Sequence, residues 1–163
     1  MTNSNSVLWG ALALGLVTGM RSMLAPTLTS RALAARDDIG DADEPARSLA
    51  AHRTRQFLMP LAAGELLGDK MTFAPDRTIA ASIVARAVSG GVTAAALAGV
   101  RRESVLLPAL IGATAACLSA KIGLNLRKPY QDNPVTNAVL GFTEDCLALA
   151  IGSAGLRRAL GHR

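Results

Sequence analysis

Apolar residues run along this chain in long blocks, and the polar residues gather between the blocks. Four blocks, Val7–Leu28, Ile79–Val100, Val105–Leu126 and Val135–Leu156, approach the roughly 20 residues that an α-helix needs to cross a bilayer. A fifth, Phe57–Met71, is shorter. As a helix it rises only about 22 Å, against a hydrocarbon core of about 30 Å. The pattern predicts an all-α, polytopic bundle of about five membrane helices in one domain over residues 1–163. The short second helix is either a full crossing that borrows Arg53 and Arg55, whose long side chains snorkel, or a half-helix supported by protein. A soluble helical bundle is the alternative. It needs a polar stripe on each helix, and Ala87–Val100 and Val105–Ala120 carry none.

The segments between the blocks set the expected connections. Asn3-Ser4-Asn5-Ser6 offers capping oxygens to the first helix, which should end near Pro26 to Thr29. Residues 30–56 form the longest polar segment, expected as a mobile loop centred on Asp37-Asp38-Ile39-Gly40-Asp41, with an amphipathic helix over Ala46–Arg55. The second helix stops before Phe73-Ala74-Pro75, because proline disfavours helix in the residue before it. Arg101-Arg102-Glu103-Ser104 makes a tight connection between the third and fourth helices, and Arg127 to Pro134 joins the fourth and fifth. Met1–Ser6 has no Lys or Arg, so the first block is expected to be a true span and not a cleaved signal.

Composition and charge support this reading. Half the residues are hydrophobic and only 18% are charged, below the roughly 25% of an average soluble domain. The net charge of +5 does not indicate nucleic acid, because the basic residues sit between apolar blocks and no basic face carries interleaved aromatics. With five crossings, an outside N-terminus puts Arg31, Arg36, Arg47, Arg53, Arg55, Arg101, Arg102, Arg157, Arg158 and Arg163 inside. Lys70, Arg77, Arg127 and Lys128 fall outside. The positive-inside rule then favours a multi-pass protein of the cell membrane with the C-terminus inside. Trp9 and Tyr130 both land near the outer interface, where such rings prefer to sit.

The candidate chemistry is the set of charges inside the blocks. Arg21, Arg86 and Lys121 fall in blocks of their own, Glu65 and Asp69 in the short helix with Lys70 at its end, and Glu144 and Asp145 mid-way along the last block. Each costs several kcal/mol in hydrocarbon unless paired or hydrated. Four positive charges against four negative ones is what pairing in a bundle interior produces. Glu65 and Asp69 are four residues apart and share a helix face, which could meet Arg86 or Lys121. Glu144 and Asp145 point about 100° apart and should serve different partners. Asn125 shares the Lys121 face, and Ser22 and Thr143 could supply hydroxyls to the cluster. Two roles remain open: fixed ion pairs that set helix register, or a site that handles ions or protons, since a poorly solvated carboxylate changes charge as its surroundings change.

Small residues form close-packing patterns at Gly15 and Gly19, at Gly112, Ala116 and Ala120, and at Gly90-Gly91. They are read as contacts within the subunit, with homodimerisation as the lesser alternative. Arg21 then Glu65, and Lys121 then Glu144, hint at an inverted repeat, an arrangement that places binding sites at the midplane. Cys117 and Cys146 have no His or Cys neighbours and read as buried small hydrophobes. His52 and His162 form no ligand pair. No cofactor or metal motif is present.

Three stretches, Thr18–Pro26 (TGMRSMLAP), Gly64–Thr78 (GELLGDKMTFAPDRT) and Arg86–Gly90 (RAVSG), resemble the bacterial integral-membrane family catalogued as domain of unknown function 4126. The Glu144-Asp145 pair is compatible with it, and the acidic stretch Asp37–Glu44 has no counterpart. The resemblance implies a small helical membrane protein and carries no assigned activity. Sequence alone thus leaves a transporter or channel-like protein for an ion or small polar solute, with Glu65 and Asp69 facing Arg21, Arg86 and Lys121. The alternative is a scaffold or accessory protein of the bilayer whose ion pairs only fix packing. An intramembrane enzyme acting on lipid through Glu65 and Asp69 lacks any recognisable catalytic constellation.

Overall fold

The structure is a computed structural model that describes residues 4–68, 80–127, 129 and 134–161. The described chain is all-α. Its helices are α1 (Ser4–Met20), α2 (Leu24–Ala34), α3 (Ala46–Ala50), α4 (His52–Gly68), α5 (Ala80–Val100), α6 (Leu106–Arg127) and α7 (Pro134–Leu160), with a 3₁₀ turn at Asp37–Asp41. Three of them are long and apolar enough to cross a membrane, over Ala80–Val100, Leu106–Leu126 and Val135–Leu160. The pattern of five full spans is corrected to that extent.

The α1 helix is the axis of the bundle, packed on α5, α6 and α7. It is apolar nearly all round because it has neighbours nearly all round; Val7, Leu14 and Val17 are all buried with Leu97, Ala98, Ala148 and Leu156. It runs antiparallel to α7: Gly10 lies against Ala159 and Gly155, and Gly152 against Val17.

The first apolar block does not continue as one helix. The chain leaves α1 after Met20 and starts α2 at Leu24, and it reverses direction in between. Leu28 reaches Gly152 and Arg36 reaches the carbonyl of Leu160, so α2 climbs back along α7 toward the end where α1 began. The two helices form a hairpin whose turn, Arg21 to Met23, stays inside the bundle. The α5 helix starts six residues before Arg86, and α7 starts eleven residues before Asp145; at 1.5 Å per residue they extend about 9 and 16 Å beyond the turn. Only α1 and α2 fold back in this way. The α6 helix runs unbroken from Leu106 to Arg127, so the inverted repeat fails.

The reversal changes which ends face which side. The start of α1, the end of α2, α3, the Arg101–Ser104 connection and the end of α7 all lie at one end of the bundle. Of residues 30–56, expected as a mobile loop, the stretch 35–51 is seated on this end: Ala42, Ala46 and Leu49 are buried with Leu33 and Ala96, and the Asp43 amide donates to Gly99 O at 3.0 Å. The helix expected over Ala46–Arg55 breaks at Ala51, and α4 begins next. Beside α3, the Ser48 hydroxyl and amide, with the Arg47 guanidinium, hold the Glu44 carboxyl below the ordinary carboxylate range. Trp9 is also here, its ring 6.0 Å from the Arg158 guanidinium; Tyr130 and His162 lie outside the described residues.

Small residues let the helices close on one another. A Cβ on Gly15 would stand 2.5 Å from Gly112 O, and one on Gly90 would stand 2.7 Å from the same atom. The Gly15 and Gly90 patterns thus both pack against Gly112 inside the subunit. The outer faces are the reverse of a soluble bundle: Val84 and Val88 on α5, Leu110 and Leu118 on α6, and Val139 and Phe142 on α7 are all exposed. Cys146 is exposed among them, and Cys117 is half-buried.

Candidate functional site: the turn between the first two helices

A helix that ends inside a bundle leaves its last carbonyls and its successor's first amides without intrahelical partners. Both ends meet here, and each is answered by a charged side chain from another helix. The Arg86 Nη1 on α5 donates to Gly19 O at 2.8 Å and Thr18 O at 3.3 Å, at the C-terminal end of α1. On α4, the Glu65 carboxylate accepts from the Ser22 amide and hydroxyl, both at 2.7 Å, and from the Met23 amide at 2.8 Å. A cation at a helix C-terminus and an anion at a helix N-terminus both complement the helix dipole. Arg86 and Glu65 also face each other at 4.0 Å. The Ser89 hydroxyl, one turn after Arg86, also holds the turn, donating to Ser22 O at 2.8 Å.

Arg21 itself turns to the other side. Its Nε donates to Asp145 Oδ1 on α7 at 2.5 Å, and its Nη2 lies 3.5 Å from Gly141 O. Arg21 is only 2% exposed and Arg86 only 6%. Two guanidiniums and two carboxylates from the turn and three further helices therefore share one nearly dry region. Each carboxylate faces a guanidinium.

Of the residues singled out in the sequence, Arg21, Ser22, Glu65, Arg86 and Asp145 come together at this turn. Asp69 and Lys70 lie outside the described residues. The expected divergence of the acidic pair is observed: Asp145 points inward to Arg21, whereas Glu144 points toward α6, its Oε1 3.3 Å from where a Cβ on Gly123 would stand. Glu144 and Thr143 line a largely apolar groove of about 210 Å³ between α6 and α7, with Met20 and Ser119 also contributing. Lys121 and Asn125 do not join the cluster. Both are exposed on α6, because α6 meets α1 through Gly112, Ala116 and Ser119, and two further residues rotate a side chain about 200° away.

Three groups went unnoticed in the sequence: Ser89, Gly141 O, and Ser119, whose hydroxyl donates to Leu16 O at 2.8 Å. Ser89 was within reach of inference, three residues from Arg86 and on the same helix face. Chemically, the turn is an anion site with a resident anion. The amides at the start of α2 and the nearby guanidinium would hold any carboxylate-like group, and Glu65 fills that place. No family model, curated protein or solved structure matches this chain.

Proposed function

We propose that this is a small multi-pass membrane protein that passes an ion or small polar solute by way of the cluster at the α1–α2 turn. The observation that carries it is the hairpin that turns inside the bundle upon buried charges. Interrupted helices whose ends face one another across a polar centre are how transporters build sites within a membrane. Irregular backbone at that depth is tolerated only where protein or a polar cavity supports it. Membrane embedding is supported by the inverted distribution of polarity: Arg21 is 2% exposed, whereas Val135 is 74% and Leu118 is 61% exposed.

The basic end gives the orientation. Arg36, Arg47, Arg53, Arg101, Arg102 and Arg157 gather at the end where α1 starts and α7 finishes, and the positive-inside rule then favours the cytoplasm for that end. With Cys117 and Cys146 replaced by Ala, single cysteines at Asn5 and at Arg158 should react with a membrane-impermeant thiol reagent only after the cells are permeabilised. Labelling at Asn5 in intact cells overturns this orientation.

In this reading Glu65 is the group that lets go. Its release, by exchange for an arriving anion, frees the start of α2. Glu65→Gln removes charge-assisted hydrogen bonds, each about 1.5–3 kcal/mol, while keeping an acceptor. Flux of the solute in proteoliposomes is expected to fall about tenfold or more, with normal abundance and melting temperature.

A scaffold or accessory role is the second reading, favoured by the pairing of each carboxylate at the turn with a guanidinium. It predicts that Glu65→Gln lowers abundance and leaves flux per folded molecule unchanged.

A further inference from the structure

The basic end holds a second feature, separate from the charged turn. A groove of about 240 Å³ opens between the last turns of α2 and α7, lined by Ala32, Ala35, Arg36, Leu156, Arg157 and Leu160. Its depth is apolar and its rim is basic. Arg36 is held in place, with Nε and Nη2 on the two Asp38 oxygens at 2.8 and 2.6 Å and Nη1 on Leu160 O at 3.2 Å. Arg157 is exposed, as is Arg31, one turn before Ala35 on the same face of α2. Among the described residues neither makes an ion pair; the acidic side chains Glu44 and Asp41 serve Arg47 and Arg102 instead.

We infer that this groove binds an anionic phospholipid from the leaflet at the basic end. The phosphate sits on Arg157 and Arg31, and one acyl chain lies along Ala32, Leu156 and Leu160. Basic pockets between membrane helices on the cytoplasmic side suit such headgroups. A free phosphate fits less well. Both α2 and α7 end here, and their carbonyl ends oppose a small anion seated deep between them, whereas a lipid keeps its phosphate at the rim. This inference rests on the membrane reading above.

The test is native mass spectrometry of protein reconstituted into nanodiscs of phosphatidylcholine with and without phosphatidylglycerol. Wild-type protein is expected to retain phosphatidylglycerol selectively, and Arg157→Gln to retain about fivefold less. Ala32→Phe, which fills the groove without changing charge, should also lose the lipid. Arg53→Gln, a charge loss on α4 outside the groove, should not, and excess glycerol phosphate should displace nothing. Wild-type retention by Arg157→Gln, an equal loss in Arg53→Gln, or displacement by glycerol phosphate overturns the site. Insertion into both nanodiscs without lipid preference overturns it alone; failure to insert into either overturns the membrane reading and the site together.

Discussion

Replacing Asp145 with Ala is expected to lower stability by about 3–5 kcal/mol, the cost of leaving one member of a buried ion pair behind. Arg21 is 2% exposed, and its Nε is 2.5 Å from Asp145 Oδ1. The converse deletion, Arg21→Met, should cost less. A stranded carboxylate can neutralise itself by taking up a proton, and a stranded guanidinium cannot. Combining Arg21→Met with Asp145→Leu should recover most of the loss, because an apolar pair of similar volume is often no worse than a buried salt bridge. Thermal unfolding in detergent of the two single variants and the double variant measures all three. Equal losses in the singles, or simple additivity in the double, would show that the two side chains do not act as a pair. The double variant also separates the two functional readings. A repacked protein that folds but carries no solute makes the pair part of a pathway, and one that keeps flux makes it a lock.

The sequence exposed the charges and hid the turn that collects them. Arg21, Glu65, Arg86 and Asp145 stand out because each interrupts an apolar block, and an ionisable group there demands a partner. The reversal at Arg21 to Met23 left no local mark. It has no Gly or Pro, and its backbone partners, Glu65 and Arg86, lie 43 and 67 residues beyond Ser22 and Gly19. Tertiary hydrogen bonds stabilise a break that propensity does not encode. Missing it had a large consequence: one extra reversal changes the parity of the chain, so the first and last helices begin and end together. Among the described residues, Arg36, Arg47, Arg53, Arg101, Arg102 and Arg157, which the charge pattern put together, lie at one end of the bundle. Lys121 shows the opposite failing. Balancing four positive against four negative charges is a statement about composition, and Lys121 sits on a face of α6 turned away from α1. Glu144 and Asp145 diverge as expected because the angle between them is internal to one helix, which sequence does fix.

Substituting Gly112 with Leu is expected to disrupt assembly outright, by more than the 1–3 kcal/mol typical of overpacking a single site. Gly112 is the point at which α6 touches two helices at once. Its carbonyl is where Cβ atoms on Gly15 and Gly90 would collide, and a Cβ on Gly112 would itself stand 2.5 Å from Ala94 Cβ. In a bilayer there is little hydrophobic drive to bring helices together, so close backbone approach supplies much of the association energy. A bulky side chain here separates α6 from α1 and α5 together, and with them Ser119 from Leu16 O. Gly15→Ala, with its Cβ 2.5 Å from Gly112 O, should be milder because one interface is affected. Gly64→Ala provides the contrast. Nothing lies within 4 Å of its added methyl, and a helical Gly→Ala change typically gains about 0.5–1 kcal/mol. Gel filtration and thermal unfolding of the three variants should rank Gly64→Ala above Gly15→Ala above Gly112→Leu. A Gly112→Leu protein that purifies and melts like the wild type would mean that α6 does not pack on α1 and α5 through this glycine.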